Sequence, residues 1–271
     1  MQLTVTTWNL KGHDGPDTDA VVDHVRAVGA DLVALQEVQR SQAREVARGL
    51  GAASLRWGFK HWPVTVPAEG LAVIGVTRPA RVRTRALTFR FRYWSWRRRV
   101  YQVAAVGVDV AAGTGGVSAG SNGFSAGSGE AGGGPGPALV LANAHLSPHG
   151  EEERREREAS TIVRALAAFP TPTVVVGDLN DDPGSRVIAR FREAGYRDAW
   201  AEAHPGTDGF TNWHGWERGT TKPPNRRIDY VLVGPGPDIV RVDVPRYGTD
   251  GFARFPTISD HLPITATLDL G

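Results

Sequence analysis

The sequence contains no cysteine, which excludes disulfides, thiolate zinc sites and a cysteine nucleophile. Any metal must therefore be held by oxygen and imidazole ligands, a donor set that favours a hard cation such as Mg²⁺ or Mn²⁺. Lysine is almost missing too. Lys11, Lys60 and Lys222 are the whole complement, so nearly all of the 31 basic residues are arginines, which suit bidentate phosphate contacts. An excess of either charge is also lacking: the net charge of +2 and the pI of 9.1 lean only weakly toward a polyanionic partner. No apolar run is long enough to cross a membrane. Met1 to Trp8 alternates like a strand where a secretion signal would be basic and then apolar. The expected compartment is the cytoplasm, and no segment marks an obligate protein partner.

What is present is a chain of 271 residues, 41% of them apolar, enough for a sizeable core. Its organising stretch is Val174-Val175-Val176-Gly177-Asp178-Leu179-Asn180-Asp181. The β-branched run predicts a buried central strand, and Gly177 lets the backbone pass close to a neighbour. Asp178 and Asn180, two apart, share a face if the backbone stays extended. A strand followed by an Asx-type turn accounts for these eight residues equally well.

The same device recurs along the chain. Leu3, Val5 and Thr7 predict a strand ending at Trp8-Asn9. Asp17 or Thr18 can cap a helix whose apolar face is Val21, Val22, Val25 and Val28, with Gly29 as its stop. Leu32 to Leu35 is a second strand with Gln36-Glu37 at its exit, and Ser41 is expected to cap a helix reaching Leu50. Gly70 to Val76 predicts a third strand, entered by Glu69. Arg81 to Asp109 predicts two strands of a hairpin or meander, and its middle, Phe89 to Arg99, alternates aromatics with arginines. That alternation fits a nucleic-acid contact surface as well as a strand with one aromatic and one charged face.

Ala111 to Pro137 holds eleven of the 33 glycines and almost no large apolar side chain, so it is expected to be a mobile loop insertion without chemistry. Leu139 to His145 is another strand, carrying Asn143 and His145. Helices are expected from about Glu151 to before Pro170, and from Ser185 to Ala194. Ala201 to Asn225 is expected as an irregular surface loop over the site. Strands at Arg226 to Val233 and Ile264 to Leu268 complete the series.

Polar residues thus sit at the ends of six elements: Asn9; Glu37; Asn143 and His145; Asp178 and Asn180; Asp229; Asp260 and His261. Six such ends are better explained by convergence on one concave site than by six independent turns. The stretches Thr7-Trp8-Asn9-Leu10, Leu35-Gln36-Glu37, Asn143-Ala144-His145-Leu146, Gly177-Asp178-Leu179-Asn180, Arg227-Ile228-Asp229-Tyr230 and Ser259-Asp260-His261-Leu262-Pro263 resemble, in order, the motif series of the endonuclease/exonuclease/phosphatase superfamily, the DNase I-like proteins.

That resemblance implies an α/β (α+β) fold: a four-layered α/β/β/α sandwich of two mixed sheets, forming a single domain over residues 1–271. It also implies divalent-metal-dependent phosphoester hydrolysis with Mg²⁺ or Mn²⁺. Glu37 would be the principal ligand, with Asn9 and Asp260 contributing directly or through water. Asp178 and Asn180 would position the attacking water and the phosphate. His261, paired with Asp229, would be the general base, or would bind phosphate while Asp178 is the base; both alternatives stand. His145, as in the DNase I, sphingomyelinase and deadenylase branches, would protonate the leaving oxygen or bind the phosphate, with Glu69 a candidate to orient it. Asn143 and Arg227 are further candidates for binding or orienting the substrate.

The expected substrate is a nucleic-acid phosphodiester. A phospholipid headgroup or small phosphate ester is the alternative, and an inactive binding module of the same fold a third reading. No lipid-insertion hairpin is recognised. The longer signature of the inositol-phosphatase branch is missing around Asp178.

Overall fold

The computed structural model describes residues 1–63, 68–92, 95–107 and 137–271, with side chains for all of these except 60–63, 88–92 and 95–98. The glycine-rich insertion, apart from its last residue, and the side chains of Phe89 to Arg98 therefore lie outside the described residues.

The first half of the chain builds one layered pair. Strand β1 (Gln2–Asn9) leads through a single 3₁₀ turn at Gly12–Asp14 to α1 (Thr18–Ala27), then β2 (Leu32–Gln39), α2 (Arg40–Leu50), β3 (Ser54–Pro63) and β4 (Glu69–Gly75). Asp17 caps α1 as expected, its carboxylate accepting from the Asp19 and Ala20 amides. Helix α2 starts earlier than Ser41 would place it: the Gln39 amide donates to Gln42 Oε1 at 2.9 Å, so a glutamine pair replaces the hydroxyl cap. β3 was not foreseen, although Leu55, Trp57 and Phe59 alternate with polar or small neighbours.

The second half mirrors the first. The hairpin β5 (Ala80–Arg92) and β6 (Ser95–Gly107) is followed by β7 (Pro137–His145), α3 (Glu152–Leu166), β8 (Thr173–Asp178) and α4 (Arg186–Glu193). Short β9 (Arg197–Asp198) and α5 (Ala199–Ala203) precede β10 (Asp229–Val233), β11 (Asp238–Asp243), α6 (Phe255–Ile258) and β12 (Ile264–Asp269). β11 also escaped the sequence. It is a mostly exposed edge strand, with little buried apolar alternation to announce it.

Two six-stranded mixed sheets result, ordered β11-β12-β1-β2-β4-β3 and β5-β6-β7-β8-β10-β9. β3, at the edge of the first sheet, is joined to one end of β6 in the second by three residue pairs. The sheets face each other, and buried amides bridge them: Gln36 Nε2 donates to Asn143 Oδ1 at 2.8 Å, and Asn143 Nδ2 to the Leu35 and Ala72 carbonyls. Val21, Val25, Ala43 and Val46 of α1 and α2 cover one outer face. Ile162, Leu166, Ile188 and Phe191 of α3 and α4 cover the other, completing the four layers. Gly177 is required where β8 pairs with β7: its φ is 126°, and a Cβ there would lie 2.0 Å from the Ala144 carbonyl oxygen. Among the described residues no helix is long and apolar enough to cross a membrane.

Candidate functional site

Strand directions explain why some site residues follow their strands and others precede them. β1 and β2 run parallel, as do β7 and β8, so Asn9, Glu37, His145 and Asp178 lie at or near C-terminal ends. β10 and β12 run antiparallel to their neighbours β8 and β1, so their starts, with Asp229 and with Asp260-His261, reach the same rim.

Asp178 is the hub. Its Oδ2 accepts from Asn9 Nδ2 at 2.9 Å and lies 3.6 Å from His145 Nε2 and 3.8 Å from His261 Nε2. Its Oδ1 accepts from the Asn180 amide at 2.9 Å. His261 is held through Nδ1, 2.8 Å from Asp229 Oδ2, which also accepts from Thr211 Oγ1 at 2.7 Å. Ser259 Oγ accepts from the His261 amide and donates to the Asn9 carbonyl, tying the last motif to the first. On the other side His145 Nδ1 lies 3.8 Å from Glu37 Oε1.

Asp178, Asp229, His145 and His261 are all buried. Burial pushes the Asp178 carboxyl up; the His261 charge opposes this, Asp229 adds to it, and the result is about 6. Burial pulls His261 down, yet the facing charges of Asp229 and Asp178 outweigh it and raise the imidazole to about 10. The ring is therefore a cation at neutral pH, framed by carboxylates.

Backbone strain gathers at the same rim. The non-glycine residues with positive φ among those described are Lys11 (47°), Glu37 (48°) and Asn180 (55°). Each costs on the order of 1 kcal/mol and persists where surrounding structure enforces it, typically at functional positions. Glu37 lies between Leu35 and Val38, where the β2 register with β4 shifts, so the backbone is re-aimed there. Asn180 is not the extended neighbour of Asp178 that spacing suggested. It sits in a left-handed turn, donates Nδ2 to the Leu146 carbonyl at 3.1 Å, and keeps a second amide hydrogen for other use.

Three residues expected to bind or orient are engaged elsewhere. Asn143 is fully buried between the sheets, bonded to Gln36, Gln102 and two backbone carbonyls. Arg227 turns away from the rim: Nη1 grips both oxygens of Asp198 at 2.9 and 2.7 Å, and the guanidinium lies 5.1 Å from the Tyr230 ring centre. Glu69 binds His13, accepting from its amide at 2.8 Å with Nδ1 3.0 Å away, while the carboxylates beside His145 are Glu37 and Asp178. The loop from Ala201 to Asn225 contributes Thr211 to the site, but Trp213 belongs to the core.

Lys11, His13, Thr211 and Ser259 were assigned no role from sequence. Ser259 lies inside a quoted motif, which was a usable signal. The other three carried none.

Two groups could hold a cation. His13, Glu37 and Glu69 offer ring nitrogen and carboxylate oxygens within 4.8 Å of one another, as do Asp178, Asp229 and His261. The first group is the more accessible, because Glu37 is half-buried and His13 exposed. Of the other expected ligands, Asn9 Oδ1 accepts from the Lys11 amide and Asp260 Oδ2 pairs with Lys11 Nζ at 3.1 Å. Oxygen donors with an imidazole, and no thiolate, fit a hard divalent cation.

No curated protein is detectably similar in sequence. Among solved structures, an endonuclease/exonuclease/phosphatase from Bacteroides vulgatus superposes with a TM-score of 0.72 at 18% identity, covering 100% of both chains. The human Nocturnin catalytic domain with bound sulfate anion gives 0.68 at 14% identity, covering 100% of this chain and 94% of that one. TDP2 of D. rerio complexed with single strand DNA product gives 0.67 at 14%, covering 99% of both. These likenesses concern the fold. Over residues 6–261, nearly the whole span of the converging motifs, the sequence matches the model of the Endonuclease/Exonuclease/phosphatase family, and the chain belongs to that family.

Proposed function

We propose that the chain hydrolyses phosphodiesters of nucleic acid with a divalent cation, Mg²⁺ or Mn²⁺, bound at Glu37. The observation that supports this best is that both histidines converge on one atom: His145 Nε2 and His261 Nε2 lie 3.6 and 3.8 Å from Asp178 Oδ2. A phosphate held beside that point would have an imidazole on each side, with the Asn180 amide within the same rim.

When bound, the cation would polarise a phosphoryl oxygen and offset the ester's negative charge. The protein's own part follows from the hydrogen bonds. Asp229 and Thr211 fix His261 so that Nε2 looks into the site. Asp178, held by Asn9 and the Asn180 amide, would orient a water and take its proton, with the His261 cation beside it to stabilise the charge that develops. His145 faces that pair from across Asp178 and supplies a proton to the leaving oxygen. Solved structures of the same fold carry a sulfate anion and a single strand DNA product, which agrees with an anionic strand as ligand.

The test is a substrate panel with Mg²⁺ or Mn²⁺: single- and double-stranded DNA, RNA, a model phosphodiester and a model phosphomonoester. Cleavage of a nucleic acid that stops in excess chelator is the expected result. Undiminished cleavage in chelator, or activity confined to lipid or monoester substrates, would refute the proposal.

A further inference from the structure

On the α3 side of the β5–β6 hairpin lies a cavity of about 200 Å³ outside the site just described. Arg81, Arg83 and Arg85 of β5 line it, with Tyr101 and Val103 of β6 and Phe169 just beyond α3; none of its lining residues is acidic. Pairing dictates this grouping. Arg85 is opposite Tyr101, Arg83 opposite Val103 and Arg81 opposite Ala105, and directly opposed residues project to one face. The rungs of this arginine ladder are roughly 6.6 Å apart, two residues of strand rise.

The basic residues next to it are used differently. Arg154, Arg157, Arg186 and Arg190 of α3 and α4 each pair with a glutamate. Arg81 and Arg85 are exposed and form no ion pair among the described residues. The ladder also points at the catalytic rim. Tyr101 pairs with Ala144, next to His145, and two residues further along the same face comes Arg99. Its enclosed Nη1 has no hydrogen-bond partner. Burial lowers that guanidinium from its ordinary value, while the charges of Glu37, Glu158 and Asp178 act to raise it, which places it in the field of the site.

We propose that Arg81, Arg83 and Arg85, continued by Arg99, form a track for the single strand of nucleic acid that leads away from the scissile phosphate. The guanidinia of Arg81, Arg83 and Arg85 meet successive phosphates, the enclosed Arg99 adds its charge at the rim end, and the apolar-floored cavity receives a base. The inference rests on the nuclease reading of the site. A linear ladder with a pocket suits a strand better than a lipid bilayer. The exposed large hydrophobic residues among those described, Phe210, Val240 and Tyr247, lie elsewhere and offer nothing to insert beside the arginines.

The test compares the wild-type protein with Arg81→Glu/Arg85→Glu and with the milder Arg81→Gln/Arg85→Gln. Binding of a labelled single-stranded oligonucleotide is measured in chelator across a salt series. Hydrolysis of a small phosphodiester, bis(p-nitrophenyl) phosphate, is measured with Mn²⁺. Binding is expected to weaken roughly tenfold or more in the Glu variant, and the slope of log K against log salt to shrink by about 1 per arginine. The small ester, too short to reach β5, should be cleaved at the wild-type rate by both variants. Oligonucleotide affinity and salt slope unchanged in both variants would overturn the track. So would ladder-dependent binding to anionic phospholipid vesicles with oligonucleotide binding intact. The binding arm needs no catalysis, so failure of the hydrolytic reading would show separately, as no cleavage of any substrate by the wild-type protein.

Discussion

Two polar networks lie on neighbouring strands, and they do opposite things. In the middle of the sandwich Gln36, Asn143 and Gln102 are bonded to one another and to backbone carbonyls. At the rim Asp178, His261 and Asp229, with the amide of Asn9, are nearly as buried, but the two carboxyls and the imidazole bring charges together. The first group consists of neutral amides whose donors are spent, so it fixes how the sheets register. The second keeps imidazole nitrogens aimed at one carboxylate oxygen and has unspent capacity for a ligand. Burial of a polar side chain therefore says little about its role; what decides is whether its donors are spent within the protein.

The contrast predicts opposite responses to mutation. The largest effects belong to the rim. His145→Ala and His261→Ala should each lower turnover roughly 100- to 10,000-fold, the usual range for a lost proton-transfer group. The double variant should be little worse than the worse single one, since residues acting as a unit are not additive. With a nitrophenolate leaving group His145→Ala should recover and His261→Ala should not; equal rescue of both would assign them to phosphate binding instead. Glu37→Gln belongs with this group, and calorimetry should show weakened Mn²⁺ binding independently of turnover.

Asn143→Ala probes the middle network. Gln36 Nε2 keeps its bonds to Thr7 and the Ala34 carbonyl, but Gln102 Oε1 and the two carbonyls that Asn143 served lose a donor, and unmet buried groups cost on the order of 1–3 kcal/mol each. Chemical denaturation should show a loss of about 3 kcal/mol, with turnover per folded molecule nearly unchanged. A collapse of turnover without loss of stability would return Asn143 to the site.

His24 belongs to neither network. It is packed edge-on against Trp8 and Phe255, and its Nε2 has no partner. Burial, helped by the Arg254 charge, lowers it from 6.5 to about 4. A depressed histidine favours the folded state fully above the unfolded value, and that support is lost as pH falls from about 6.5 toward 4, by up to about 3 kcal/mol. His24→Gln should flatten the acid limb of the stability profile over that window. An unchanged limb would show that other groups dominate it.

The smallest effect should be at Thr211. Thr211→Val removes the hydroxyl that donates to Asp229 Oδ2 and accepts long bonds from the Ile228 and Asp229 amides, and should cost about 1–2 kcal/mol of stability. It should also displace the pH profile of turnover. A change in stability alone would leave Thr211 as a packing residue.

Much of the architecture was legible because it is written locally. Val174 to Val176, Leu32 to Leu35 and Leu139 to Ala142 announce buried strands by composition, and Asp17 and Ser185 announce helix starts by their capping oxygens. The order of the polar strand ends carried the family, since order is itself a one-dimensional property. Which polar end faces outward was decided only by the folded molecule. Asn143 and His145 share a strand and a face, yet one step along β7 separates closure between the sheets from the open rim. Arg227 and Asp229 lie as close, and a partner 29 residues away in sequence draws the arginine off to Asp198. Lys11 and His13 enter the site because the backbone turns left-handed at Lys11, and Thr211 reaches Asp229 from a loop with no regular pattern. Local pattern determines where strands and helices form because that depends on near neighbours. The fate of a polar side chain depends on groups that only tertiary packing brings within hydrogen-bonding distance.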